Sequence, residues 1–370
     1  MSTSPAESHP VDPSRSSRRD FLQTATAATV GAAMAATVGT GPTILHAEDK
    51  SGTRPPVVGS GEWQYECQHG WGQLPAHITW GETHGVAIDA DGLVYIKHRV
   101  KVGDPMDAIA VFDAEGKFVR SFGKEYHGGG HGIDVRKEGN EEFLYLCDVK
   151  NGIVAKTTLK GEQLWVKGRP KEPGVYDKPE AKYSPTNVAF GPDGGFYIAD
   201  GYGSHYIHQY DKDAKWVRTW GGAGKEPGKM STPHGIWLDN RPGRDVSLVV
   251  ADRANARLQY FTLDGKHLGF NHDVSFPAHF DIRGDVLLVP DLHARVTLMD
   301  KENKVLAHLG YDPDWTKEAL ADNFKLRSEP KRWQSGRFVH PHDACFDKDG
   351  NIFVVEWVPT GRVTKLKKLA

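Results

Sequence analysis

The sequence predicts an all-β protein, a six-bladed β-propeller, and three observations carry that prediction. A strand–turn–strand unit recurs along the chain: its first strand returns 47 residues after His84, at His131, and then at intervals of about 55, 48, 45 and 63 residues. No long stretch sustains the 3.6-residue hydrophobic period of helices. The 41 Gly, 22 Pro and abundant Trp, Tyr and Phe suit many short strands joined by tight turns. The period matches one four-stranded blade, and a closed ring of blades hides nearly all its strand edges.

The N-terminal stretch is set apart from the fold. Ser17-Arg18-Arg19-Asp20-Phe21-Leu22 reads as a twin-arginine export signal, followed by an uncharged Ala/Thr/Val/Gly-rich run from Thr24 to Gly41. That run is short and weakly hydrophobic, too poor for a stable membrane span. Cleavage is expected after Leu45-His46-Ala47. Residues 1–47 are therefore expected to be the signal peptide, 48–61 a linker and 62–370 the propeller, acting in the periplasm or outside the cell.

Along the propeller the elements read in order. Glu62-Trp63-Gln64-Tyr65-Glu66-Cys67 is expected to supply the strand that the last unit lacks, fastening the ring. The first unit runs from His84 to Gly123, with turns at Asp91-Gly92 and Ala114-Glu115-Gly116-Lys117. The third unit is the plainest: Asn187-Val188-Ala189-Phe190, a Gly191-Pro192-Asp193-Gly194-Gly195 turn, Phe196-Tyr197-Ile198-Ala199-Asp200, Tyr206-Ile207-His208-Gln209-Tyr210, then Trp216-Val217-Arg218-Thr219-Trp220. Further units begin at His131, His234, about His279, and His342. A short helix is expected near Trp315 to Phe324. Asp89, Asp239 and Asp347 read as turn residues closing first strands. The odd set Cys67, Cys147 and Cys345 reads as buried small apolar residues rather than a disulfide framework.

Three histidines hold the same place in alternate units: His131, His234 and His342, each opening the innermost strand. In a propeller that strand lines the central channel, so the second, fourth and sixth blades would bring three imidazoles to one depth. Neutral imidazole is a good zinc ligand, and three of them leave a position open for chemistry. The bland alternative is that each plugs the channel and bonds to backbone. His84 holds the matching place in the first blade and is expected to support the site or touch substrate. His279 and His340 are read as ordinary packing residues.

Ser184-Pro185-Thr186-Asn187-Val188-Ala189, Ala199-Asp200-Gly201-Tyr202, Thr232-Pro233-His234, Val250-Ala251-Asp252-Arg253-Ala254-Asn255-Ala256-Arg257-Leu258-Gln259 and His340-Pro341-His342-Asp343 follow one another in the chain. In that order they resemble the core of peptidyl-α-hydroxyglycine α-amidating lyase, a six-bladed propeller of the NHL-repeat type, over roughly residues 62 to 369. The resemblance implies zinc on His131, His234 and His342, with Tyr202 acting on the substrate hydroxyl. It implies that Arg253 and Arg99 bind or polarise substrate, and that a structural calcium lies low in the channel on Asp343 and the Ile133 carbonyl. His340 stands where the family has a methionine. Both family disulfides are missing, their positions falling about at Tyr183 with Gly203 and Val249 with Tyr260.

The chemistry implied is a lyase reaction in which a carbinolamide, R-CO-NH-CH(OH)-R′, splits into an amide and an aldehyde. A free tyrosine hydroxyl has a pKa near ~10, so a base there needs a metal or cation beside it. The plainer reading of Tyr202 is packing over the channel, and of Arg253 a structural pair with Asp252 or Asp200. Two other functions stay open: a hydrolase using a metal-bound water, and a non-catalytic propeller binding a peptide, glycan or protein. The formal net charge of −2 argues against nucleic acid as a partner. The expected partner is a small-molecule or peptide substrate, and the expected working unit a monomer.

Overall fold

The computed structural model describes residues 54–369; the expected signal peptide lies outside them. The described residues form six antiparallel sheets. The innermost strands of blades one to six are Thr83–Ile88, Gly130–Glu138, Asn187–Phe190, Pro233–Asp239, Asp281–Arg283 and Pro341–Phe346. Blades one to five each run through four consecutive strands. The sixth takes three strands from the C-terminal end and completes itself with Trp63–His69, which pairs antiparallel with Arg362–Lys368. The expected closing strand is thus present. Val57–Ser60, in the stretch read as a linker, adds a fifth strand outside it.

Burial follows from the ring. The second strands lie between neighbouring sheets; Val94–His98, Phe196–Ala199 and Val286–Asp291 are buried throughout. The fourth strands face solvent on one side and alternate, as in Gln163–Lys167, where Leu164 and Val166 are exposed. Apolar clusters join each pair of adjacent blades. The cluster between blades six and one, with Phe353, Val355 and Val363 against Val94, Ile96 and Phe112, shows that the circle closes. Cys67 and Cys147 sit in such clusters, and no disulfide links the described cysteines.

The turns behave as read. The Asp89 carboxylate accepts the Leu93 N–H at 2.8 Å, and that of Asp347 accepts the Asn351 N–H at 2.9 Å. Asp239 also forms a fully buried ion pair with Arg241, at 2.7 Å. The expected helix is Pro313–Phe324, broken where the backbone leaves helical angles at Ala321, Asp322 and Asn323, and capped by the Asp312 carboxylate on the Trp315 N–H. It packs Trp315 and Ala319 against Val339 and Val358 beside the channel mouth.

Candidate metal centre

His131, His234 and His342 are fully buried and converge, with one ligand atom from each lying within 4.8 Å of the others. Their ring centroids stand 4.6, 4.7 and 4.9 Å apart, a near-equilateral triangle across the channel. Each histidine occupies a bulge in its inner strand. Gly130 pairs with Asp148 but Ile133 with Leu146, and the same extra residue appears at His234 and His342. The bulged residue leaves the ladder, which turns its side chain to the axis.

The next blade fixes each ring. His131 Nδ1 bonds to the Thr186 carbonyl at 2.8 Å, His234 Nδ1 to Ala278 at 2.7 Å, and His342 Nδ1 to His84 at 2.7 Å. A carbonyl only accepts, so each Nδ1 carries the proton and each Nε2 a free lone pair. Even blades present imidazoles and odd blades orient them. The glycine after two of these histidines makes the approach possible: a Cβ on Gly132 would stand 2.5 Å from the Thr186 oxygen, and one on Gly235 2.6 Å from the Ala278 oxygen.

The electrostatics suit a cation. Burial first, then the neighbouring imidazoles and, for His234 and His342, Arg253, holds all three well below the ordinary histidine value. They are neutral, the ligating form. The Nε2 atoms of His131 and His342 are buried without a hydrogen-bond partner. Orphaned acceptors aimed at one point are what a three-coordinate zinc site requires of its protein, so the residues fit such a metal.

His84 stands beside this triangle, its ring 4.6 Å from that of His342, and contributes through its carbonyl. The Tyr202 hydroxyl lies 3.0 Å from His234 Nε2 and accepts from both Arg253 terminal nitrogens at 3.3 Å. Arg253 is 9% exposed and, among the described residues, has no carboxylate partner. The pairing considered from sequence is absent because both aspartates are engaged elsewhere. Asp252 takes Arg257 at 2.6 Å, and Asp200 takes the Ser184 and Ser204 N–H groups and Tyr176. Arg99 reaches the same pocket but is bound to Glu82 at 2.9 Å, which Arg327 also holds.

These groups share one origin, which sequence reasoning did not use. An acidic residue ends or directly follows the second strand of blades two to six: Asp148, Asp200, Asp252, Asp291 and Glu356. Each is buried and accepts backbone N–H groups of nearby loops. The residues just after them, including Tyr202, Arg253, Leu292 and Trp357, wall a cavity of about 560 Å³ over the histidines. The recurring acid followed by an atypical residue was the available signal.

Below the triangle the channel changes character. A second cavity of about 210 Å³ is lined by Asp134, Asp281, Asp343 and His279. Asp343 already accepts the Val86 N–H at 3.0 Å and the Ala344 N–H at 2.8 Å. Ile133 lies with its side chain in the core between blades one and two. Burial alone would lower His279, but Asp343 and Asp134, the latter 3.5 Å away, outweigh it and push the imidazole up to about 9. Burial raises Asp343 to about 7 and Asp281 to about 6. The neighbouring carboxylates thus favour the protonated imidazole of His279. Asp343, expected as a calcium ligand, is one of three aspartates on this cavity, with Asp134 and Asp281.

No family model matches the chain. It is 27% identical over 329 residues to peptidylglycine alpha-amidating monooxygenase of Rattus norvegicus, a match covering 80% of this chain and 31% of that protein. It is also 27% identical over 341 residues to peptidyl-alpha-hydroxyglycine alpha-amidating lyase 1 of Drosophila melanogaster, covering 80% and 58%. The chain thus spans about a third of the first relative and just over half of the second. Among solved structures, a gluconolactonase from Xanthomonas campestris superimposes with a TM-score of 0.55 at 14% identity, over 85% of this chain and 96% of that one. At that identity the likeness concerns the fold alone. Fold and sequence together make this chain a six-bladed propeller similar, over four-fifths of its length, to the amidating lyases.

Proposed function

We propose that this protein is a metal-dependent carbon–nitrogen lyase that splits a carbinolamide into an amide and an aldehyde. The observation that carries the reading is the set of three neutral, buried imidazoles with Nε2 lone pairs aimed at one point, under a tyrosine hydroxyl and an unpaired arginine. His131, His234 and His342 would hold zinc or a similar divalent ion, which supplies a Lewis acid at the hydroxyl of the substrate.

The chain's own groups then have assignable work. Tyr202 stands at the Nε2 triangle and takes the substrate's hydroxyl proton; the C–O bond becomes C=O as the C–N bond breaks. The same proton returned to nitrogen gives the amide, so R-CO-NH-CH(OH)-R′ becomes R-CO-NH2 and O=CH-R′ with atoms balanced. Arg253 donates to the Tyr202 oxygen and offers a guanidinium for a carboxylate on R′. Arg99 shares the Glu82 carboxylate with Arg327, so this cluster keeps a net positive charge at the wall of the cavity, where it can attract an anionic substrate group. Asp343 and the Ile133 carbonyl would hold a structural calcium in the lower channel, beside Asp134 and Asp281. The Ser17-Arg18-Arg19 motif supports export through the twin-arginine route.

The test is elemental mass spectrometry of the purified protein together with aldehyde release from N-acyl-α-hydroxyglycines. About one zinc-like ion per chain, absent from His234→Ala, with glyoxylate formed only by the metal-bearing protein, is the expected result. A metal-free wild type after incubation with zinc would leave the histidines as channel filler and a binding propeller as the better account.

A further inference from the structure

Lys97, in the second strand of blade one, is fully buried and takes no part in the chemistry above. Among the described residues it forms no ion pair: Asp148 accepts the Lys150 and Asn151 N–H groups, and Asp134 faces His279. Its ammonium donates instead to two backbone carbonyls of blade two, Cys147 at 2.7 Å and Gly132 at 3.3 Å, and lies 5.3 Å from the centre of the Tyr126 ring. Burial pulls it down to about 8, so at neutral pH it keeps its proton. A buried charge with no counter-charge is costly. Cys147, Ala199 and Ala251 stand at the matching positions of blades two, three and four, so the fold alone does not call for a lysine here.

The two carbonyls belong to the two sides of the His131 bulge. His131 and Gly132 together face Cys147, between the pairs Gly130 with Asp148 and Ile133 with Leu146. A bulge disrupts the ladder locally, and buried carbonyls need donors. One ammonium, with three hydrogens, serves both. Gly132 is thereby held at both ends. Its N–H donates at 3.2 Å to the Thr186 carbonyl, the oxygen that also fixes His131 Nδ1, and its own carbonyl accepts from Lys97. The bulge at His234 is held differently: Asn187, on the inner strand of blade three, donates its amide to the His234 carbonyl at 2.8 Å. The matching residue of blade one is Gly85, where a Cβ would stand 2.8 Å from the His131 carbonyl. No side chain fits there, and the support comes from Lys97, one strand further out.

We infer that Lys97 is a positioning residue of the metal centre: by bridging the Gly132 and Cys147 carbonyls it fixes the bulge that aims His131 Nε2 at the channel axis. It acts through His131 and touches neither metal nor substrate. The inference rests on the metal-binding reading above and adds a residue that none of the ligands reveals. A cation bonded beside His131 also repels a metal ion, so the two effects of Lys97 have opposite signs. Loss of positioning weakens metal binding, whereas loss of repulsion tightens it.

The test is zinc affinity, measured by competition with a chromophoric chelator, in wild type, Lys97→Met and Lys97→Gln. The first variant keeps the length without a donor; the second keeps N–H donors without the charge. Lys97→Met should bind zinc about 10–100-fold more weakly than wild type, and Lys97→Gln should recover part of that loss. The visible absorption bands of the cobalt(II)-substituted protein should shift in Lys97→Met and move back in Lys97→Gln. Melting of the metal-free proteins checks that both variants fold, and Lys97→Met should melt no lower than wild type, because an unpaired buried charge has gone. Zinc affinity at or above that of wild type in either folded variant, or an equal loss in both, would overturn the inference. A lower melting temperature with unchanged zinc affinity would mark Lys97 as a residue of the fold alone, which also overturns it. A wild type that binds zinc no better than its variants sinks only the role of Lys97, whereas a wild type that takes up no zinc sinks the metal-binding reading as well.

Discussion

Two levels of one channel, lined by successive residues of the same strands, hold imidazoles in opposite states. At the upper level His84, His131, His234 and His342 are buried among one another and near Arg253, and all are held neutral. At the lower level His279 is equally buried but faces Asp134 and Asp343, which push its imidazole up to about 9. Burial is common to both, so burial alone does not decide the charge. The sign of the neighbouring groups does: like charges add to desolvation above, and carboxylates reverse it below. The upper level is thereby ready to receive a cation, while the carboxylates of the lower one favour positive charge on His279.

The largest expected break in this contrast is removal of an upper imidazole. Alanine at His131 or His342 should take bound metal from about one ion per chain to none, and lower kcat/KM by on the order of 10³-fold or more. Circular dichroism should be unchanged, since the inter-blade cores do not include these rings; full metal content in both variants would remove the site. Next, Tyr202→Phe should keep the metal but lose roughly 10²–10⁴-fold in kcat, as expected for a proton-transfer group. Undiminished turnover would end its role.

A subtler variant addresses orientation. Gly235→Ala pushes against the Ala278 carbonyl that anchors His234 and should weaken metal affinity by about 10–100-fold. Gly269→Ala, where a Cβ meets open space, is the matched control. Equal affinities in the two would show that the carbonyl does not position the ring.

The smallest effect is a pH dependence of stability in the metal-free protein, with opposite signs at the two levels. The upper imidazoles have lowered values, so their contribution is present above about pH 6.5 and is lost as the pH falls. His279, raised to about 9, contributes fully below about pH 6.5, and that contribution is lost as pH rises through about 9. Asp281 and Asp343, raised to about 6 and 7, act in the same direction over a lower range. The melting temperature should therefore peak near pH 6.5, and His279→Gln should flatten the alkaline limb. An unchanged limb in that variant would mean that His279 is not the charged group.

Much of this was legible because a propeller writes its geometry into a repeat. The period gave six blades, and the alternation of His131, His234 and His342 pointed to three rings at one depth, where the folded chain brings them together. Closure through Trp63–His69 followed from the missing strand. What stayed hidden depended on partners distant in sequence. Arg253 has Asp252 directly before it, yet it is left unpaired because Arg257, five residues beyond Asp252, takes that carboxylate. His279 reads in isolation as a packing histidine; its charge comes from Asp134 and Asp343, in two other blades.

The sequence by itself determined the fold class, the repeat and the residue types able to bind a metal, because strand period, turn chemistry and ligand identity are local properties. Only the tertiary structure decided which nitrogen of each histidine is free, which arginine is unpaired and which imidazole is charged. Those depend on a carbonyl from the next blade, or a carboxylate across the axis, arriving within about 3 Å, and nothing short of the closed ring brings them there.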